Sequence, residues 1–351
     1  MSKDFDELME EAYLLPDGRA KIEKLEEAAR IADMEGDVDR GYEARAEIVE
    51  SAVFNGYPKK ALVAFSWQLG QFDKEPDRFD DYSLLWSYKW ILDKIACFPE
   101  ISREQIDALL EDMKKRYSEY GYNDRTYYYY KIEISMLFGE REEAARLMKQ
   151  VEGMERDGMS DCAACEQDRL VDFHVFTGDD EGAVRAAGPI LNGRMSCGEV
   201  PHVTLSKVLM PFYRLGQLKE AKNAQKKGYR LIKDNRDFLI QFGEHIRYLT
   251  EVDPFKGLEL FEKHVSQALD HENPYDQMMF YAYASGLFAR LQGEEVKLQV
   301  KLPAAYPHPE DGEDAARMAR RLRDMAMVTA EALDRRNGNH YYSEWIGALA
   351  V

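Results

Sequence analysis

Apolar residues recur along most of this chain with a helical period. Ile22, Leu25, Ala29 and Ala32 fall on one helix face, as do Ile106, Leu109, Leu110, Met113 and Tyr117. The second run opens on Ser102-Arg103-Glu104-Gln105. This is a capping-box pattern, in which the serine and glutamine side chains satisfy N–H groups that a helix start leaves free. Asp253-Pro254 and Asn273-Pro274 each join an N-cap side chain to a proline at the first helical position. Helical runs of roughly 14 to 18 residues alternate with short turns, which predicts antiparallel helix pairs. After Gly293 the period changes: residues 296–302 alternate apolar and polar, the pattern of one short strand. A proline-rich loop over 306–312 follows, then a final helix from about Glu313 to Asp334, with Gly338 as its stop.

A glycine followed five residues later by an alanine recurs through the helical part. The pairs are Gly139 and Ala144, Gly178 and Ala183, and Gly216 and Ala221, with an earlier copy at Gly56 and Ala61. The last three glycines stand 39 and 38 residues apart, and self-similarity at a fixed period marks a repeat protein. The glycine ends one helix in a left-handed conformation. The alanine sits in the first turn of the next helix, where a small side chain lets the two approach closely. This arrangement resembles the tetratricopeptide-repeat family over roughly residues 37 to 290. The family's period is about 34, whereas the units here run 38 to 39 with longer loops, a period at which the HEAT class of helical repeats is the alternative. The resemblance implies an all-α right-handed superhelix, an α-solenoid of antiparallel helix pairs. Residues 1–292 form the repeats, and residues 293–351 form a C-terminal cap with the short strand, the proline-rich loop and the terminal helix.

Composition narrows the partners. The chain has 351 residues, 45% of them hydrophobic, which is ample for a core, and its formal net charge is -18. Phosphate binding needs a positive footprint, so the acidity argues against nucleic acid and against an anionic membrane surface. It suits a basic peptide partner. The N-terminus is acidic without an apolar signal region, no stretch approaches a membrane span, and four cysteines are no disulfide framework. The expected compartment is the cytoplasm. Oligomeric state is not readable.

The sharpest chemistry is a cysteine cluster. Cys162 and Cys165 precede one predicted first helix, and Cys197 and His202 precede the next. Three thiols and an imidazole make a tetrahedral zinc set at usable spacings. Neighbouring first helices run side by side, so such a site would clip two repeats together as a structural metal. A redox-active Cys162–Cys165 pair and inert packing thiols are the competing readings.

Groove-facing positions follow from the resemblance by offset from the glycines. They are Tyr129, Glu133 and Met136 in one unit, Asp168 and Asp172 in the next, and Ser206, Met210 and Tyr213 in the third. Such a groove would bind a peptide or protein segment, and its acids would prefer a basic one. Tyr82, Trp86 and Trp90 on one helix, Phe65 and Trp67 on the helix before, and tyrosines at 127–130 either pack between repeats or floor the groove. Nucleotide-binding and hydrolase motifs are absent, so no enzyme activity is expected. Arg335 and His340 have a spacing that resembles HEPN-type ribonucleases, but Gly338 interrupts the helix that motif occupies. That ribonuclease and a self-associating structural protein are the rival functions.

Overall fold

The computed structural model describes residues 4–294 and 298–349. Helices dominate: α1 (Phe5–Leu14), α2 (Arg19–Glu35), α3 (Val38–Val53), α4 (Pro58–Phe72), α5 (Asp81–Ile95), α6 (Arg103–Glu119), α7 (Arg125–Leu137), α8 (Arg141–Val151) and α9 (Ala163–Thr177). They continue with α10 (Asp180–Leu191), α11 (His202–Lys207), α12 (Leu209–Arg214), α13 (Leu218–Ile232), α14 (Leu239–Val252), α15 (Pro254–Leu269), α16 (Pro274–Leu291), α17 (Ala315–Asn337) and α18 (Tyr341–Leu349).

The local signals act as their chemistry requires. Gln105 N–H donates to Ser102 Oγ at 3.3 Å while Ser102 N–H donates to Gln105 Oε1 at 2.9 Å. Asp253 and Asn273 cap α15 and α16, each followed by proline at the first position. Gly56, Gly139, Gly178 and Gly216 all have φ between 72° and 77°. At Gly178, the next residue's N–H reaches back to His174 O at 2.8 Å, closing the end of α9. Ala61, Ala144, Ala183 and Ala221 are buried in the helices that follow. The tryptophans of α4 and α5 pack at the margin of the core: Trp90 meets Phe54 edge-on and Trp67 lies under Arg45.

Sequential helices pack against each other, and a second set of contacts skips one helix: α3 touches α5, α5 touches α7, α7 touches α9, and α9 touches α11. The row continues through α14 to α16. Where α12 meets this row the chain breaks at Val208. Pro211 lacks an N–H, and its ring excludes the Lys207 carbonyl from a helical bond, so α11 and α12 are separate pieces.

Distant parts of the chain meet. Asn235 donates to Phe54 O at 3.1 Å across 181 residues, and Arg236 to Tyr57 Oη at 3.2 Å. Arg336 of α17 donates to Ala96 O at 2.7 Å and Phe98 O at 3.2 Å. Residues after 297 share one core with α14, α15 and α16, to which Leu298, Val300, Leu322 and Ile346 contribute.

The expected strand is not formed. Residues 296 and 297 lie outside the described residues, and 298–302 are irregular. No strand occurs among the described residues. The alternation has another cause: Leu298 and Val300 are buried on the helical core while Lys301 N–H bonds Glu262 at 2.8 Å. An extended segment with one face on helices shows a strand's period without a strand partner. Its one ladder-like bond runs from Val300 N–H to Gly312 O at 2.9 Å.

Candidate functional site

Two polar constellations stand out, and both involve α9. The first is the thiol cluster. Cys162 caps the N-terminus of α9, its sulfur accepting from Cys165 N–H at 3.4 Å. One helical turn brings the Cys165 sulfur to 3.3 Å from that of Cys162. The loop after α10 delivers Cys197, held in a turn by its N–H to Val200 O at 2.9 Å. All three sulfurs lie within 4.8 Å of one another, close enough to share one metal ion. Burial would raise the Cys162 thiol, but the N–H of Cys165 and the two neighbouring thiols outweigh it and hold it below its ordinary value. Burial and the Cys162 sulfur push Cys165 up.

His202 does not join these thiols, which corrects the expected four-ligand set. Its ring lies parallel to Phe238, centroids 6.1 Å apart, and burial lowers its pKa. The imidazole starts α11 and is drawn into packing against the segment before α14, so a usable spacing in sequence did not become a shared site.

The second constellation is a chain of ionic contacts between successive members of the row. Lys89 of α5 is fully buried; it lies over the Trp86 ring and donates to Asp161 at 2.8 Å and Met159 O at 2.9 Å. Arg169 of α9 pairs with Asp161 at 3.4 Å and with Glu133 of α7 at 2.5 Å, and lies over the Tyr130 ring. Lys207 of α11 donates to both Asp168 and Asp172 of α9 at 2.6 Å. Thr204 also donates to Asp168.

Burial controls the protonation of these groups. It raises Glu133 above the usual carboxyl range against the pull of Arg169, and Asp172 to about 6 against that of Lys207. Burial alone would lower Lys207, but Asp168 and Asp172 outweigh it and hold its pKa high. Two further carboxyls face this region and are raised to about 7 by burial: Glu199 and Glu244. Glu244 Oε2 is buried without a hydrogen-bond partner.

The predicted groove residues therefore separate. Glu133, Asp168 and Asp172 are not free groove acids: they join helices through Arg169 and Lys207. Ser206 is buried beside Glu244, with its hydroxyl donating to Val203 O. Tyr129 and Met136 pack against α8 and α9, while Met210 and Tyr213 pack in the core formed by α9, α10 and α13. The neighbour Tyr130, one position from the predicted Tyr129, is the tyrosine that enters the ionic chain. Lys89, Asp161 and Lys207 were not anticipated. A signal for them exists. The partners Asp168 and Lys207 are 39 residues apart, Asp172 and Lys207 35, and Arg169 and Tyr130 39, all close to one repeat period.

Other candidates are less coherent. A 1060 Å³ surface cleft between α6, α7 and α8 uses another face of α7, and its Arg103 and Arg146 already pair with Glu140 and Glu143. Arg335 and His340 are both exposed, and Gly338 in the left-handed conformation separates them. No helix among the described residues is long and apolar enough to cross a membrane.

No protein-family profile matches the chain, and no curated protein matches it significantly. The class it belongs to is set by its own architecture: an all-helical protein whose alternate helices are joined by buried ionic contacts, with a three-thiol cluster at the start of one of them.

Proposed function

We propose that this protein is a cytoplasmic helical-repeat scaffold of tetratricopeptide-like, right-handed superhelical architecture. The row α5, α7, α9, α11 and α14 forms its inner face, and that face takes a protein segment or peptide. The observation that carries the reading is the polar, half-buried character of this row. Core helices present apolar side chains to each other, yet here Glu133, Arg169, Asp172, Lys207 and Glu244 are gathered on facing surfaces. A row of this kind holds its own geometry through paired charges and leaves Glu199 and Glu244 to meet a cationic segment. In the same reading the three thiols hold one zinc ion, which pins the start of α9 to the loop that precedes α11.

The test is selection of peptides from a synthetic library against the purified protein, followed by affinity measurement on variants. Selected peptides should be rich in lysine or arginine. Binding should weaken about tenfold, about 1.4 kcal/mol, in Glu244→Gln, and stay unchanged in Arg146→Glu, which lies on the cleft between α6 and α8. Peptides without basic residues, or binding sensitive only to the second substitution, would move the site off the inner face.

A further inference from the structure

We infer that the thiol cluster is an open metal site, with three protein ligands and one exchangeable position that accepts a neutral nitrogen donor of the imidazole type. The inference deepens the zinc reading above and rests on it. Zn–S bonds of about 2.3 Å in a tetrahedron set sulfurs about 3.8 Å apart. The 3.3 Å between Cys162 and Cys165 and the 4.8 Å bound on all three sulfurs bracket that spacing. The residue expected to close the tetrahedron stands apart from the sulfurs: the His202 ring lies parallel to Phe238, centroids 6.1 Å apart, and its Nδ1 is buried without a hydrogen-bond partner. The surroundings leave the fourth direction accessible. Cys162 and Cys197 are exposed, and apolar Ala164, Ile190 and Val200 back the site on its buried side. Three protein ligands and one replaceable water are the arrangement in which zinc takes part in binding or chemistry, whereas four protein ligands make a closed, structural site.

Charge decides what the open position accepts. Three thiols bind Zn²⁺ with release of three protons, which leaves the centre with one negative charge and a water as fourth ligand. An imidazole replaces that water without moving a proton or adding charge. A fourth thiol would release another proton and leave a second negative charge, in a chain whose formal net charge is already -18. The neutral nitrogen donor is therefore favoured over the anionic one.

The experiment loads the full-length protein with Zn²⁺ for X-ray absorption and with Co²⁺ for visible spectroscopy, and uses imidazole as the probe. The wild type should bind one metal with about three sulfurs and about one nitrogen or oxygen. Added imidazole should shift the cobalt bands saturably. His202→Ala should show the same sulfur number and the same response. Cys197→Ser, at an exposed position, should keep its helical circular dichroism, show one sulfur fewer around the metal, and bind it more weakly than the wild type. A wild type that ignores imidazole while His202→Ala responds would mean that His202 closes the site, overturning the open position while leaving the metal in place. A protein that retains no metal would overturn the zinc reading with it. Neither result touches the peptide-binding test.

Discussion

Lys207 is the ionic contact whose removal says most about the fold. It donates at 2.6 Å to both Asp168 and Asp172, and it ties α11 to α9. Lys207→Met keeps the length and apolar stem and removes the charge. Breaking a buried pair from one side costs about 3–5 kcal/mol, because the partner charge is left without compensation. Asp172 is 32% exposed and Asp168 keeps its Thr204 donor, so the loss belongs at the lower end, about 3 kcal/mol near neutral pH. The pH dependence is a second signature. Asp172 already stands at about 6, and without the lysine it rises further, while in the unfolded chain an aspartate titrates near about 3.9. Between those values the native variant binds a proton that the unfolded chain does not. Its stability is therefore fullest below the unfolded pKa and falls as pH rises through the folded one. The difference from wild type should shrink to about 1 kcal/mol near pH 5, where protonation relieves the orphaned Asp172 carboxyl. Lys207→Met/Asp172→Asn should recover part of the loss near neutral pH. Urea unfolding followed by circular dichroism at both pH values measures this. A loss under about 1 kcal/mol at neutral pH, or one equal at the two pH values, would refute the claim that these charges join the helices.

Ala183→Leu, at a fully buried alanine in α10, should overpack its contact with α9 and cost about 1–3 kcal/mol, read as a lowered thermal midpoint. Arg336→Ala removes the donor to Ala96 O and Phe98 O; it should cost about 2 kcal/mol and speed amide exchange in α18 and around residues 96–98. Because burial raises Glu199 and Glu244 to about 7, a basic peptide that needs their charged forms should release protons on binding. Its affinity should rise about tenfold from pH 6 to pH 8 for each carboxylate it needs, about a hundredfold for both, with titration calorimetry in two buffers counting the protons; a pH-independent affinity would exclude these carboxyls from the contact.

The elements were legible because their causes are local. The capping box at Ser102, the proline starts of α15 and α16, and the glycine ends at 139, 178 and 216 depend on residues a few positions apart. The convergence of Cys162, Cys165 and Cys197 followed from the repeat, which returns the chain to the start of α9 after one hairpin. What escaped was pairing across units. Glu133, Asp168 and Asp172 look the same in sequence whether they face solvent or a cation one period away, and Lys207 carried no local mark. The single residue between Tyr129 and Tyr130 is about 100° of helix, enough to turn a groove position into a packing one. The C-terminal part was misread where one buried face, shared by strands and by extended segments on helices, produced the same alternation. His202 was lost to a stacking contact with a residue 36 positions on, Phe238, which no ligand spacing encodes.

The central claim is that the row of alternate helices is the binding face. Hydrogen exchange of the protein with and without a saturating selected basic peptide tests it most directly. The account predicts slowed exchange concentrated in α9, α11 and α14, around Arg169, Lys207 and Glu244. Protection confined to α8, α10 and α13, with the row unchanged, would contradict it.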